Sequence, residues 1–154
     1  MAVSIRQAER GDADLLYKMI CDLARYEEAE HSVKVSAAQL QQQLGQSPRP
    51  FECVIAESGG TPCGFALYFY AYSTWEGRRT LYLEDLFVSP EFRGVGAGAA
   101  LMEHLSRVAQ QEQCGRFEWS VLDWNAPAIA FYNRLGAKPV DGWTRYRMDC
   151  CASL

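Results

Sequence analysis

Arg93-Gly94-Val95-Gly96-Ala97-Gly98 runs straight into Ala99-Ala100-Leu101-Met102, a glycine-rich turn followed by a helical pattern. Glycines let a backbone fold tightly enough to aim several N–H groups at one point. The first turn of a helix adds unsatisfied donors and partial positive charge. Together they make an anion site suited to a pyrophosphate, with Arg93 able to add a charge-assisted contact. A bare strand-to-helix loop that binds nothing is the plain alternative, and on these residues alone the two readings stand even. The spacing is Gly-x-Gly-x-Gly and comes late in the chain, which does not fit the GxGxxG dinucleotide fingerprint. No Gly-Lys-Ser/Thr follows, so the phosphate-loop NTPase pattern fails as well.

Just upstream, Glu84-Asp85 interrupts residues 81–88, an otherwise apolar strand pattern. On a regular strand the two carboxylates point to opposite faces, so one of them at most faces a given cleft. A solvated or helix-paired carboxylate is the plainer reading of Glu84. Tyr26, Glu27 and Trp75 supply ring faces and charge that can hold an ammonium by cation–π contact and Coulomb attraction. Glu28 and Glu30 read as a solvated helix end. Tyr132, beside Phe131, reads first as a core aromatic on a helix, and Trp143 reads equally well as a packed core residue. His31 and His104 have no partner pattern.

These residues need elements to position them. Residues 3–7 form a strand pattern, after which Asp12 offers an N-cap and apolar residues recur at helical spacing through Ala24. Ser36 caps a second short helix through Leu44, closed by Gly45, Pro48 and Pro50. Residues 51–57 and 64–72 are strand-like, joined by a hairpin turn at Ser58-Gly59-Gly60-Thr61-Pro62. A strand over 80–88 leads to the glycine segment and a helix from about 99 to 113. A strand over 116–122, a helix over 126–135 stopped by Gly136, and a last strand over 143–149 complete the chain. The fold class expected is α/β with a mixed sheet: antiparallel strands first, then a parallel pair around the glycine-rich helix. Ligands in such sheets bind at strand C-termini beside a helix N-terminus, which directs the search to residues 88–98.

At 154 residues and 49% hydrophobic content, the chain fits one domain, 1–154, with a real core. Fifteen Lys plus Arg against 19 Asp plus Glu give a net charge of -4, which disfavours nucleic acid as a partner and leaves room for a cationic substrate. No apolar run is long enough to span a bilayer and the start lacks a signal-peptide core, so the expectation is a cytoplasmic protein without membrane contact. Six cysteines show no CxxC pair and no histidine neighbour. Buried free thiols are therefore favoured over a disulfide framework or a metal site, and no metal is implied.

The run Leu83-Glu84-Asp85-Leu86-Phe87-Val88-Ser89-Pro90-Glu91-Phe92-Arg93-Gly94-Val95-Gly96-Ala97-Gly98 resembles the acetyl-CoA motif of the GNAT N-acetyltransferases, (Q/R)xxGx(G/A). Val121-Leu122-Asp123-Trp124-Asn125, with Ala130-Phe131-Tyr132 and Leu135-Gly136-Ala137, resembles the second half of that signature. Leu23-Ala24-Arg25-Tyr26-Glu27, Tyr72-Ser73-Thr74-Trp75-Glu76-Gly77-Arg78 and Tyr82-Leu83-Glu84-Asp85 are similar to the diamine (spermidine/spermine) acetyltransferases, and more so to the thialysine N-ε-acetyltransferases. Ser73 matches the thialysine type, where polyamine enzymes tend to carry Asp.

The resemblance implies acetyl-CoA as cosubstrate, a small primary amine as acceptor, direct attack in a ternary complex, and a homodimer with substrate sites near the subunit interface. It implies that Glu84 binds and deprotonates the amine, that Tyr132 protonates the departing thiolate, and that Asn125 with the Leu86 and Val88 backbone holds the pantetheine arm. Phe87, Arg93, Gly94, Val95, Gly96, Ala97 and Gly98 complete the coenzyme site it implies. Tyr26, Glu27, Trp75, Glu84, Asp85 and Trp143 form its acceptor side. A peptide or protein amine as acceptor, and a non-catalytic acyl-CoA sensor, are the alternatives to be tested.

Overall fold

The turn expected at Ser58–Pro62 forms in the computed structural model, which describes residues 2–150. Gly59 and Gly60 take φ of 58° and 82°, the left-handed pair that matches the twist of a two-residue hairpin. It joins β2 (Glu52–Ser58) to β3 (Thr61–Ser73). β1 (Val3–Gln7) pairs antiparallel with β2, and β4 (Arg78–Val88) pairs antiparallel with β3. β5 (Arg116–Trp119) lies parallel to β4, with Thr80 opposite Arg116 and Leu83 opposite Trp119. The sheet order is β1-β2-β3-β4-β5, the mixed arrangement expected.

The chain divides into two compact units, Met1–Ser120 and Val121–Leu154. In the first, α1 (Ala13–Tyr26) and α2 (Ala37–Leu44) bury Leu16, Met19, Leu23, Leu40 and Leu44 against Cys53, Ile55, Phe65, Leu67 and Phe87 of the sheet. Each large apolar side chain so buried contributes about 1.5–3 kcal/mol. Neighbouring positions Val54, Ala56, Ala66, Leu81 and Leu83 point to the other face. There α3 (Ala97–Gln111) packs along the sheet through Leu101, Met102 and Leu105.

Caps follow the sequence with one change. Ser36 Oγ accepts from the Gln39 N–H at 3.1 Å while Gln39 reaches back to the Ser36 N–H, a complete capping box. Asp12 sits at the N-cap position of α1 but makes no side-chain cap bond. Its carboxylate instead accepts both guanidinium arms of Arg6 at 2.9 Å and the Glu9 N–H at 2.8 Å. β5 ends at Trp119, short of the expected 122, and α3 starts two residues earlier than expected.

Among its described residues the second unit holds one helix, α4 (Ala126–Arg134). Gly136 at φ 87° ends it, with Gly136 N–H bonded to the Asn133 carbonyl and Ala137 N–H to the Tyr132 carbonyl, a Schellman closure. The strand expected over 143–149 is not formed, because a strand needs a ladder and the described residues of this unit supply no second one.

Of the cysteines, Cys53 and Cys63 are buried as expected, Cys21 and Cys114 are half-buried, and Cys150 is exposed. Cys151 lies outside the described residues. No helix among them is long and apolar enough to cross a membrane.

Candidate active site

The centre of β4 is irregular where the carboxylates fall. Leu83 lies opposite Tyr68 and Asp85 opposite Leu67, so Glu84 is an extra residue with no opposite number on β3. A bulge of this kind cancels one step of the strand alternation. Leu83 therefore belongs to the α3 face, whereas Glu84 and Asp85 both project toward the α1 face, and both carboxylates can face one cleft. This differs from the regular alternation expected of the sequence.

Asp85 is the more perturbed of the two. Burial raises its pKa, and the negative charges of Glu84 and Glu27 raise it further, to about 7. Glu27, which caps the C-terminal end of α1, is also raised by burial. Three carboxyls thus gather at one end of α1 and the middle of β4. Cys53, on the same face, is pushed up to about 12, chiefly by burial, so its thiol stays protonated and inert. Among the described residues no three His, Cys, Asp or Glu side chains gather as metal ligands do.

Beyond Leu83, β4 outruns its parallel neighbour and continues to Val88 beside β3 alone in the sheet. Gly64 permits that continuation, because a Cβ there would sit 2.4 Å from the Phe87 carbonyl oxygen. The two backbones approach as closely as glycine allows. The Ser89 N–H then bonds to the Cys63 carbonyl at 2.8 Å, and a 3₁₀ turn over Pro90–Phe92 redirects the chain into the glycine segment.

Gly94 and Gly96 take φ of 84° and 87°, with nothing within 4 Å of where a Cβ would stand. The loop is shaped by left-handed backbone and bordered by open space. Gly96 is the N-cap of α3 and carries no capping side chain. The first helical bond runs from Ala100 N–H to the Gly96 carbonyl at 2.9 Å. The N–H groups of Ala97, Gly98 and Ala99 therefore precede the helical ladder and carry the dipole's positive end. The side chains of Phe87 and Ala97 are buried in the core and the Phe87 carbonyl lies against Gly64 of β3, so of these two it is the Ala97 N–H that is left for a ligand. Val95 is exposed, and Leu86 and Val88 are half-buried.

Arg93 folds back over this corner. Its Nε–H donates to the Val88 carbonyl at 3.4 Å, and its guanidinium carbon lies 5.3 Å from the Tyr26 ring centroid. In the second unit, Asn125 caps α4 by accepting the Ala128 N–H at 3.3 Å, and Tyr132 sits in the last turn of that helix with its ring 5.4 Å from Phe131. Trp143 follows α4 in the same unit.

The first unit thus brings together Tyr26, Glu27, Glu84, Asp85 and the Leu86–Gly98 corner. Trp75 stands apart from them. It is on the turn after β3, where Ser73 Oγ accepts the Glu76 N–H at 3.1 Å, and Glu84 lies six residues into β4 from Arg78, about 20 Å along the strand. The bulge was missed by sequence reasoning. Its signal was present as two adjacent polar residues inside an apolar strand. The Arg93–Tyr26 contact joins residues far apart in the chain and has no local signal.

The acetyltransferase (GNAT) family model matches residues 14–137. Thialysine N-epsilon-acetyltransferase of Sus scrofa is 38% identical over 96% of this chain and 93% of its own length. Spermidine/spermine N(1)-acetyltransferase-like protein 1 of Homo sapiens is 35% identical over 94% of this chain, which spans 22% of that longer protein. Among solved structures, an integron cassette protein from the mobile metagenome of V. cholerae superposes with a TM-score of 0.80 at 28% identity, covering 98% of this chain and 94% of that one.

Proposed function

The chain belongs to the acetyltransferase (GNAT) family and is an acyltransferase, and from that premise we propose that it moves the acetyl group of acetyl-CoA to a primary amine of a small cationic acceptor. The observation that carries the reading is the cluster of Glu27, Glu84 and Asp85 gathered by the β4 bulge directly before the glycine-rich corner. Negative charge at that place attracts an ammonium. A glycine loop and helix N-terminus at the other side attract phosphate. Each substrate has its own complementary field.

The residues at the corner fit acetyl-CoA. The N–H groups of Ala97, Gly98 and Ala99 suit the pyrophosphate, with Gly94 and Gly96 allowing close approach and Arg93 adding charge. The continuation of β4 past β5 suits an extended pantetheine arm, which would add to the sheet through the backbone of Leu86 and Val88 as a strand does. The family resemblance assigns the Asn125 amide to that arm, and its side chain caps α4.

The chemistry is a direct attack. The acceptor arrives as ammonium with a pKa near 10, and one proton must leave before nitrogen can bond to the acetyl carbon. Glu84, at the bulge, receives the cation as the resemblance implies; the proton-acceptor role that the resemblance also gives Glu84 we move to Asp85, the carboxyl raised by burial and by Glu84 and Glu27, with water between where the two do not touch. A carboxylate of ordinary pKa would make that transfer uphill by more than six pH units. Asp85 at about 7 roughly halves the climb, a saving on the order of 4 kcal/mol. The C–N bond forms and the C–S bond breaks; Tyr132, to which the family resemblance gives this role, protonates the leaving thiolate, and the second proton shed by the nitrogen restores its phenol.

Ser73 and the similarity to thialysine N-epsilon-acetyltransferases support a lysine-like amine over a long polyamine. Trp75, remote from the carboxylates of its own chain, would serve the acceptor in a homodimer, the assembly that the family resemblance implies. The test is thiol release from acetyl-CoA with thialysine, lysine, a diamine and spermidine. Turnover greatest with thialysine is expected. Coenzyme binding without thiol release for any of these amines would refute the small-amine reading.

A further inference from the structure

Arg6, Arg25, Arg49, Arg79, Arg107 and Arg116 each hold a carboxylate within 4 Å, as surface arginines commonly do. Arg93 forms no such ion pair among the described residues. Its guanidinium lies over the Tyr26 ring at 5.3 Å from the centroid and its Nε–H is on the Val88 carbonyl. A ring face and a carbonyl fix the direction of a guanidinium without neutralising its charge. The side chain is thereby held at the mouth of the Gly94–Gly96 turn with its charge unspent. Tyr26 is able to do this because it is the last residue of α1, a 14-residue helix anchored in the core by Leu16, Met19 and Leu23.

We infer that Tyr26 is a positioning residue for the coenzyme: its ring holds Arg93 pointed for the phosphates of acetyl-CoA. The inference rests on the acetyl-CoA reading above. It gives Tyr26, which the sequence resemblance puts on the acceptor side, a role on the coenzyme side, because one face of its ring carries the Arg93 guanidinium. The same turn of α1 then serves both substrates through adjacent residues, Tyr26 through Arg93 and Glu27 through Asp85.

A double-mutant cycle tests this, with coenzyme A binding followed by calorimetry in the full chain. Tyr26→Leu should weaken coenzyme A about threefold, the size of one exposed cation–π contact. Arg93→Gln should weaken it about tenfold, and adding Tyr26→Leu to Arg93→Gln should cost nothing further. Tyr26→Phe keeps the ring and should retain the coupling to Arg93→Gln that Tyr26→Leu loses, which separates positioning by the ring from any role of the hydroxyl. The KM for the amine, measured at saturating acetyl-CoA, should be the same in Tyr26→Leu as in the wild type. Additive losses in the double variant, or a raised amine KM with unchanged coenzyme affinity, would overturn the inference while leaving wild-type coenzyme binding intact. A wild-type chain that binds no coenzyme A would overturn the acetyl-CoA reading, and this inference with it.

Discussion

Replacing Asp85 by Asn should stabilise the protein at alkaline pH while removing most of its acetyl transfer. Asp85 keeps its proton in the folded chain up to about pH 7, against an ordinary 3.8. Between those values the folded state binds more protons than the unfolded one, so the free energy of unfolding falls as pH rises and the loss is complete above about 7. Three pH units at ~1.4 kcal/mol each give a loss on the order of 4 kcal/mol. Asp85 is only half-buried, and water screening cuts this to about 2 kcal/mol. Asn has the same shape and no charge to bury. Its advantage in urea denaturation should be near zero at pH 4 and about 2 kcal/mol at pH 8. The midpoint of thermal unfolding at pH 8 should rise by about 4–8 °C for a chain of this size. In parallel, the wild-type kcat/KM for the amine should climb with pH through about 7, and Asp85→Asn should lose that limb along with a factor of about 100 or more in rate. An equal stability difference at pH 4 and pH 8 would refute the reasoning, because it would mean that Asp85 bears no burial cost for its charge.

Gly64→Ala should destabilise the fold by about 2–3 kcal/mol and weaken coenzyme binding, since a Cβ 2.4 Å from the Phe87 carbonyl oxygen must push the end of β4 aside. An unchanged urea midpoint would show that the strands can separate freely there. Asp12→Asn should behave oppositely to Asp85→Asn with pH. The Arg6 guanidinium holds the Asp12 carboxyl below its ordinary 3.8, so its contribution is present at neutral pH and fades as pH falls below about 4. A cost of about 1–2 kcal/mol at pH 7 that shrinks in acid is expected from denaturation curves at the two pH values, and a cost independent of pH would reject the ion pair as its source.

Most elements were legible because their signals are local. Gly59-Gly60 between two alternating runs, Ser36 three residues before Gln39, and Gly136 after the last turn of α4 each act through neighbours in the chain. Asp12 marks where that logic stops. Its type and place both suit a cap, but Arg6, held across the β1 edge, offers a stronger partner than a helix N–H. Glu84 and Asp85 were legible as chemistry and not as geometry, since whether they share a face depends on one residue of slip against Tyr68 and Leu67. The strand expected over 143–149 shows a further limit. An alternating pattern states that a segment can join a sheet and does not supply the neighbour it joins.

The bulge also bears on how this activity can be gained or lost. Deleting Glu84 alone would restore an unbroken ladder between β3 and β4, with Asp85 still opposite Leu67 and Leu83 still opposite Tyr68 on the α3 face. The chain would then own a plainer and more regular sheet with its paired carboxylates gone. On the function proposed above, the pairing of the two carboxylates is thus separable from the scaffold by a single codon, and a lineage can gain or lose it without having to invent a new fold.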